Sequence, residues 1–225
     1  MEQNNIFQGA DRLEHCYFSP VRVVSERVFE LQEQGREIIN FGEGEPDFDT
    51  PKGIVDATIR ALNEKYTHYA NNRGLIELRR EISKLAEEMM GMYYSPEEEI
   101  IVTSAGAETI NDALMAFLNP GDEAIIFTPA FFNYENLIYM AGAKVINIRL
   151  KSENGFQIDP EELRRRITPR TKMLIINNPC NPTGVVYKEE VLAEVAKICV
   201  EHNLIVFSDE IYSKIVYNGR KFRSM

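Results

Sequence analysis

The chain has 225 residues, 44% hydrophobic and 27% charged, with a net charge of −10 and no block rich in lysine or arginine. That balance is ordinary for a globular protein, and the acidic surface excludes nucleic acid and anionic membranes, which need a basic face. Three cysteines, Cys16, Cys180 and Cys199, are an odd number without metal-ligand spacing, and read as reduced thiols of the cytoplasm. The start lacks a basic stretch followed by an apolar run, so a secretory signal is not expected, and no apolar stretch reaches the roughly 20 residues of a membrane span.

Residues 1–18 carry little pattern and read as an arm. Ser19-Pro20 opens a helix, with Ser as cap and Pro in the first turn; Val24, Val28 and Leu31 share a face and Gly35 ends it. A short apolar run follows at 38–41, then the loop Gly42-Glu-Gly-Glu-Pro-Asp47. Thr50-Pro51 opens a second helix, and a third runs from about residue 75 to 90 and stops at Gly91. From there strands and helices alternate. Apolar runs at 100–102, 124–127, 144–148, 173–176 and 204–207 are separated by helical patterns near 106–118, 132–141, 160–167 and 188–202. The runs are apolar throughout, as strands buried on both faces of a parallel sheet must be. This predicts a three-layer α/β/α domain with a mainly parallel sheet.

In such a sheet ligands bind beyond the carboxyl ends of the strands, so the residues that follow each run are the candidates. After 100–102 comes Thr103-Ser-Ala-Gly-Ala-Glu108, whose small residues and helix start suit either a phosphate cradle or a tight strand-to-helix turn. Neither a Walker lysine nor Gly-x-Gly-x-x-Gly is present, which disfavours a nucleotide-binding protein. After 124–127, Phe131 could stack on a flat ring while Phe132 and Tyr134 read as core, and by itself this motif favours core packing. After 173–176 comes Asn177-Asn-Pro-Cys-Asn-Pro-Thr-Gly184, a strongly shaped loop in which Asn181 could present its amide to a ligand oxygen. After 204–207 comes Ser208-Asp-Glu-Ile-Tyr212, where Asp209 serves either a ligand ring nitrogen or a helix cap.

These residues resemble the class I/II aminotransferases, the fold-type I family that uses pyridoxal 5'-phosphate and includes aspartate and aromatic aminotransferases. The resemblance runs from about Ser19 to the end and rests on Gly44-Glu-Pro-Asp-Phe-Asp-Thr-Pro51, Tyr69 followed by Gly74 and Leu78-Arg79, Asn181-Pro-Thr-Gly184 and Asp209-Glu-Ile-Tyr212. It implies transfer of an amino group from an α-amino acid to a 2-oxo acid, in a cytoplasmic homodimer. It implies that backbone N–H groups at Ala105, Gly106 and Ala107 bind the cofactor phosphate, where the two alanines offer no hydroxyl. Phe131 would stack on the pyridine ring, Asn181 and Tyr212 would bond its phenolic oxygen, and Asp209 would pair with its nitrogen. Tyr69 would reach the phosphate of the neighbouring subunit's cofactor, and Gly44, with Asn181, would lie by the substrate.

The resemblance also names what is missing. The family's lysine, which forms the Schiff base and then moves the proton, lies in a Ser-Lys context beyond the Asp-x-x-Tyr motif, and this chain ends first, at Met225. Lys214 and Lys221 are the only lysines after Asp209 and read as solvated surface residues; Ser213-Lys214 stands too near Asp209 to face it across a cofactor. The expected organisation is therefore an arm and part of a small domain at 1–45, then a cofactor-binding large domain at 46–225 cut before that lysine, with a gap in its sheet, inactive by itself. A lyase of the same fold and a non-catalytic aminotransferase-like module fit the same motifs.

Overall fold

The computed structural model describes residues 9–42, 44–46 and 48–225, which fall into two compact units. One comprises Phe18–Val102. The other comprises the described residues before Phe18 together with Thr103–Met225. No helix among the described residues is long and apolar enough to cross a membrane.

The first unit is helical. α1 (Pro20–Glu33) starts as its sequence predicts: the Ser19 hydroxyl accepts from Arg22 N–H at 3.4 Å and Pro20 fills the first turn. α2 (Lys52–Asn63) follows Pro51 without a side-chain cap and buries none of its residues, leaving Ile54, Ile59 and Leu62 exposed. α3 (Ile76–Met90) ends at Gly91, whose φ of +70° is the left-handed stop that glycine adopts without strain. Within this unit the buried Arg79 guanidinium donates to the carbonyls of Gly74 and Pro96, and the Ser83 hydroxyl to that of Tyr94 at 2.6 Å. The run 100–102, expected as a strand, forms none. Three residues close no ladder without a neighbouring strand, and Val102 N–H instead donates to the Arg73 carbonyl at 3.0 Å.

The second unit carries the sheet. β1 (Glu123–Thr128), β2 (Lys144–Arg149), β3 (Thr171–Asn177) and β4 (Ile205–Asp209) pair in the order β2-β1-β3-β4, all parallel. The helices α4 (Gly106–Phe117), α5 (Asn133–Met140), α6 (Pro160–Arg166) and α7 (Glu189–Glu201) cover it. Successive strand residues point to opposite faces, and the core divides accordingly. Ala124, Ile126, Met173 and Ile175 pack with Ile110 and Leu114 of α4 and Ile138 of α5. Ile125, Phe127, Leu174 and Ile176 pack with Leu163 of α6 and Leu192, Val195 and Ile198 of α7. Both faces of β1 and β3 are thus buried, which is why their sequences do not alternate. The result is the expected α/β/α sandwich.

The chain steps from β1 to β2 on one side, then returns to place β3 on the other side of β1. At that reversal the connections leave the sheet in opposite directions, which opens a crevice at the carboxyl ends of β1 and β3.

At the opposite edge, β1 begins with a carboxylate only 1% exposed. Glu123 accepts from the Thr168 hydroxyl at 2.6 Å and from Arg170 Nη2 at 3.1 Å. Burial pushes this carboxyl upward, but the hydrogen bonds from Thr168 and Arg170 and the charges of Arg170 and Lys144 outweigh it, so the net shift is downward. A folded value below the unfolded one makes a contribution to stability that is present above the ordinary value of 4.5 and is lost as the pH falls through the lower folded value. Glu123→Ala is expected to cost about 2 kcal/mol at neutral pH, and to flatten the loss of stability between neutral and acidic pH. Urea midpoints of the two proteins across that range check this, and parallel pH profiles would contradict it.

Candidate functional site

A cleft of about 380 Å³ opens at the carboxyl ends of the strands, and every residue lining it lies between 106 and 212. Gly106 and Ala107 reach it from the start of α4, Phe131 and Tyr134 from the segment after β1, Asn177 and Asn181 from the end of β3, and Asp209 and Tyr212 from the end of β4.

Each wall follows from its local sequence. α4 has no side-chain cap, and Ala105 precedes it in extended conformation (φ −161°, ψ 168°). The first backbone N–H groups of a helix have no intrahelical acceptor and favour an anion. A Cβ at Gly106 would meet nothing within 4 Å, so the space there is open. Asn177 closes β3 and braces two loops. Its amide nitrogen donates to the Asp209 carbonyl at 3.2 Å, and its amide oxygen accepts from Asn181 N–H at 2.7 Å. Asn178 does similar work behind it, donating its side-chain amide to the Arg223 carbonyl at 3.0 Å and accepting from Tyr187 N–H at 3.1 Å. The peptide bonds before Pro129, Pro179 and Pro182 are cis.

Asp209 ends β4 with both carboxylate oxygens engaged. Oδ1 accepts from Ile211 N–H at 3.2 Å, and Oδ2 accepts from the Tyr134 hydroxyl at 2.5 Å. Burial, and then the charge and hydrogen bond of Asp209, push the Tyr134 phenol upward, so it remains a donor. Phe131 is half-buried and meets the Tyr134 ring edge-on, with centroids 5.7 Å apart and planes at 85°.

Of the residues singled out in the sequence, Gly106, Ala107, Phe131, Asn181, Asp209 and Tyr212 line this one cleft, and Ala105 adjoins it as the residue before α4. Gly44 and Tyr69 belong to the unit 18–102, where both are exposed. Lys214 is exposed, Lys221 lines a separate surface hollow with Arg220 and Arg223, and no lysine lines the strand-end cleft. Two contributors escaped the sequence reading. Tyr134 reads as core, and it is buried, yet its hydroxyl reaches Asp209. Its spacing of three from Phe131 at a helix start, which puts both on one side, is the signal that points to it. Asn177 stands out only as a polar residue at the last position of an apolar strand.

The sequence pattern of the family described as aminotransferase class I and II matches residues 36–225. The chain belongs to this aminotransferase family. It is 41% identical over 199 residues to the aspartate/prephenate aminotransferase of Thermus thermophilus, covering 88% of this chain and 51% of that protein. It is 38% identical over 207 residues to the aspartate aminotransferase of Bacillus subtilis, covering 92% and 52%. Among solved structures, the Thermus thermophilus aspartate aminotransferase with maleate superposes with a TM-score of 0.91 at 39% identity, over 96% of this chain and 56% of that one. The N-succinyldiaminopimelate aminotransferase of Mycobacterium tuberculosis gives 0.90 at 32% identity, over 96% and 55%. This aminotransferase chain thus spans about half the length of the curated relatives it matches.

The brace at the end of β3 can be tested apart from any ligand. Asn177→Ala removes two hydrogen bonds and is expected to cost about 1–2 kcal/mol, with faster amide hydrogen exchange at Asn181. Unchanged exchange at Asn181 would show that the loop holds its shape without Asn177.

Proposed function

We propose that this chain holds pyridoxal 5'-phosphate in the strand-end cleft, as part of an aminotransferase that moves an amino group from an α-amino acid to a 2-oxo acid. The observation that carries the reading is the convergence, in one cleft of about 380 Å³, of an aromatic face, a carboxylate, an amide, a phenol and an uncapped helix start. That donor set fits the group: a flat ring needs a face to lie against, its nitrogen an acidic partner, its phenolic oxygen donors, and its phosphate an anion site.

In this reading Phe131 covers one face of the ring and keeps water from it. Asp209 accepts the hydrogen of a protonated ring nitrogen, which favours the charged form of the ring. Asn181 and Tyr212 donate to the phenolic oxygen, and Asn181 also lies by the substrate. Backbone N–H groups at Gly106 and Ala107, with Ala105 alongside, take the phosphate through the positive end of α4. The cofactor supplies an electron sink for the pair released when the substrate loses its α-proton. No lysine lines the cleft, so neither the covalent attachment nor the proton transfer is assigned to a residue of this chain, and the chain alone is proposed to be inactive. In the whole protein we assign Gly44 to the substrate carboxylate and Tyr69 to the phosphate of the neighbouring subunit of a cytoplasmic homodimer. The relatives named as aspartate aminotransferases make aspartate the first amino donor to assay.

The purified chain is expected to bind pyridoxal 5'-phosphate, followed by quenching of protein fluorescence. Asp209→Ala should weaken binding by about tenfold or more, as loss of a charged hydrogen bond implies. Borohydride treatment should leave no cofactor attached to the chain. Unchanged affinity in Asp209→Ala, or a covalent label on Lys214, would overturn the assignment.

A further inference from the structure

Phe131 and Asp209, the two groups assigned to the face and the edge of the cofactor ring, converge on one side chain with no role in the scheme above. Tyr134 is 2% exposed and sits at the start of α5. Its hydroxyl donates to Asp209 Oδ2 at 2.5 Å, and its ring packs near-perpendicular to the Phe131 ring at a centroid distance of 5.7 Å. The same side chain belongs to the core cluster that contains Ile110, Leu114 and Ile138. Packed on that side, the phenol has little freedom to turn, and it transmits its fixed position to both neighbours.

We infer that Tyr134 is a positioning residue that sets the stacking face of Phe131 and the carboxylate plane of Asp209 together, so that the cleft is shaped in advance for a flat ring bearing a nitrogen. The inference rests on the cofactor reading above. An exposed aspartate turns freely about its side-chain bonds, and a ligand that needs one orientation must freeze it at a cost in affinity. Here the Tyr134 hydroxyl holds one carboxylate oxygen and Ile211 N–H, at 3.2 Å, holds the other, so that cost is met on folding. A charge-assisted bond from a neutral phenol is among the stronger hydrogen bonds available for this purpose. The edge-on contact with Phe131 contributes separately, through ring geometry rather than charge.

A hydroxyl of purely structural value acts on every ligand alike, whereas a hydroxyl that positions Asp209 acts only on ligands with a ring nitrogen. The test therefore compares pyridoxal 5'-phosphate with 1-deazapyridoxal 5'-phosphate, in which C–H replaces that nitrogen, by binding to the purified chain. Tyr134→Phe keeps the ring contact and removes the hydroxyl. It is expected to weaken pyridoxal 5'-phosphate about tenfold, the size of a lost hydrogen bond to a charged group, and the deaza compound less than about twofold. Equal losses for the two compounds, or no loss for either, overturn the inference. Asp209→Ala serves as the reference for the cofactor reading. If it erases the preference between the compounds while Tyr134→Phe retains that preference in full, only the role of Tyr134 falls. If the unaltered chain shows no preference, or Asp209→Ala leaves it intact, the cofactor reading falls and the role of Tyr134 with it. A second measurement needs no variant to fold: the Tyr134 hydroxyl proton should give a slowly exchanging, downfield proton resonance in the unaltered chain, and its absence overturns the hydrogen bond on which the inference stands.

Discussion

Parallel pairing is the constraint from which the site follows. Because β1, β2, β3 and β4 all run the same way, all their carboxyl ends reach one edge of the sheet. Because β3 is inserted beside β1 rather than beside β2, the connections diverge there and leave space between them. Phe131, Asn181 and Asp209, far apart in the chain, meet at one cleft for this reason, and the start of α4 brings Gly106 to it. The apolar strand sequences are in turn what makes parallel pairing favourable, since helices bury both faces of the two central strands.

Two carboxylates at opposite ends of the sheet show how position decides role. Glu123, at the start of β1, is sealed from water and surrounded by Thr168, Thr171 and Arg170, so its charge is neutralised and its acceptor capacity consumed by the fold. Asp209, at the end of β4, is half-buried, and among the described residues its carboxylate accepts from Ile211 N–H and the Tyr134 hydroxyl. It lines the cleft. The first is a structural ion pair at the closed edge. The second is a fixed acceptor at the open one, and Asn177 and Tyr134 supply the rigidity that a ligand contact requires.

Much of this was legible in the residues themselves. The helix starts at Ser19-Pro20, the stop at Gly91 and the alternation of strand and helix after residue 103 rest on local chemistry, and the structure places them where expected. So do the strand-end motifs, because a parallel sheet dictates where they converge. The run 100–102 reads as a strand but forms none, because a strand is a property of its neighbours and three apolar residues without a partner strand make no ladder. Val24, Val28 and Leu31 share a helical face, yet Val24 is exposed, and so are Ile54 and Ile59 of α2, which periodicity cannot reveal. Tyr134 reads as core because its ring is core, while its hydroxyl leaves that core for a carboxylate 75 positions away.

The most direct test of the account is a crystal structure of the chain soaked with pyridoxal 5'-phosphate. The account predicts density for the ring against Phe131, with its nitrogen at Asp209 and its phosphate at the first turn of α4. Well-ordered cofactor bound elsewhere on the chain, with the cleft between Phe131 and Asp209 left to solvent, would contradict it.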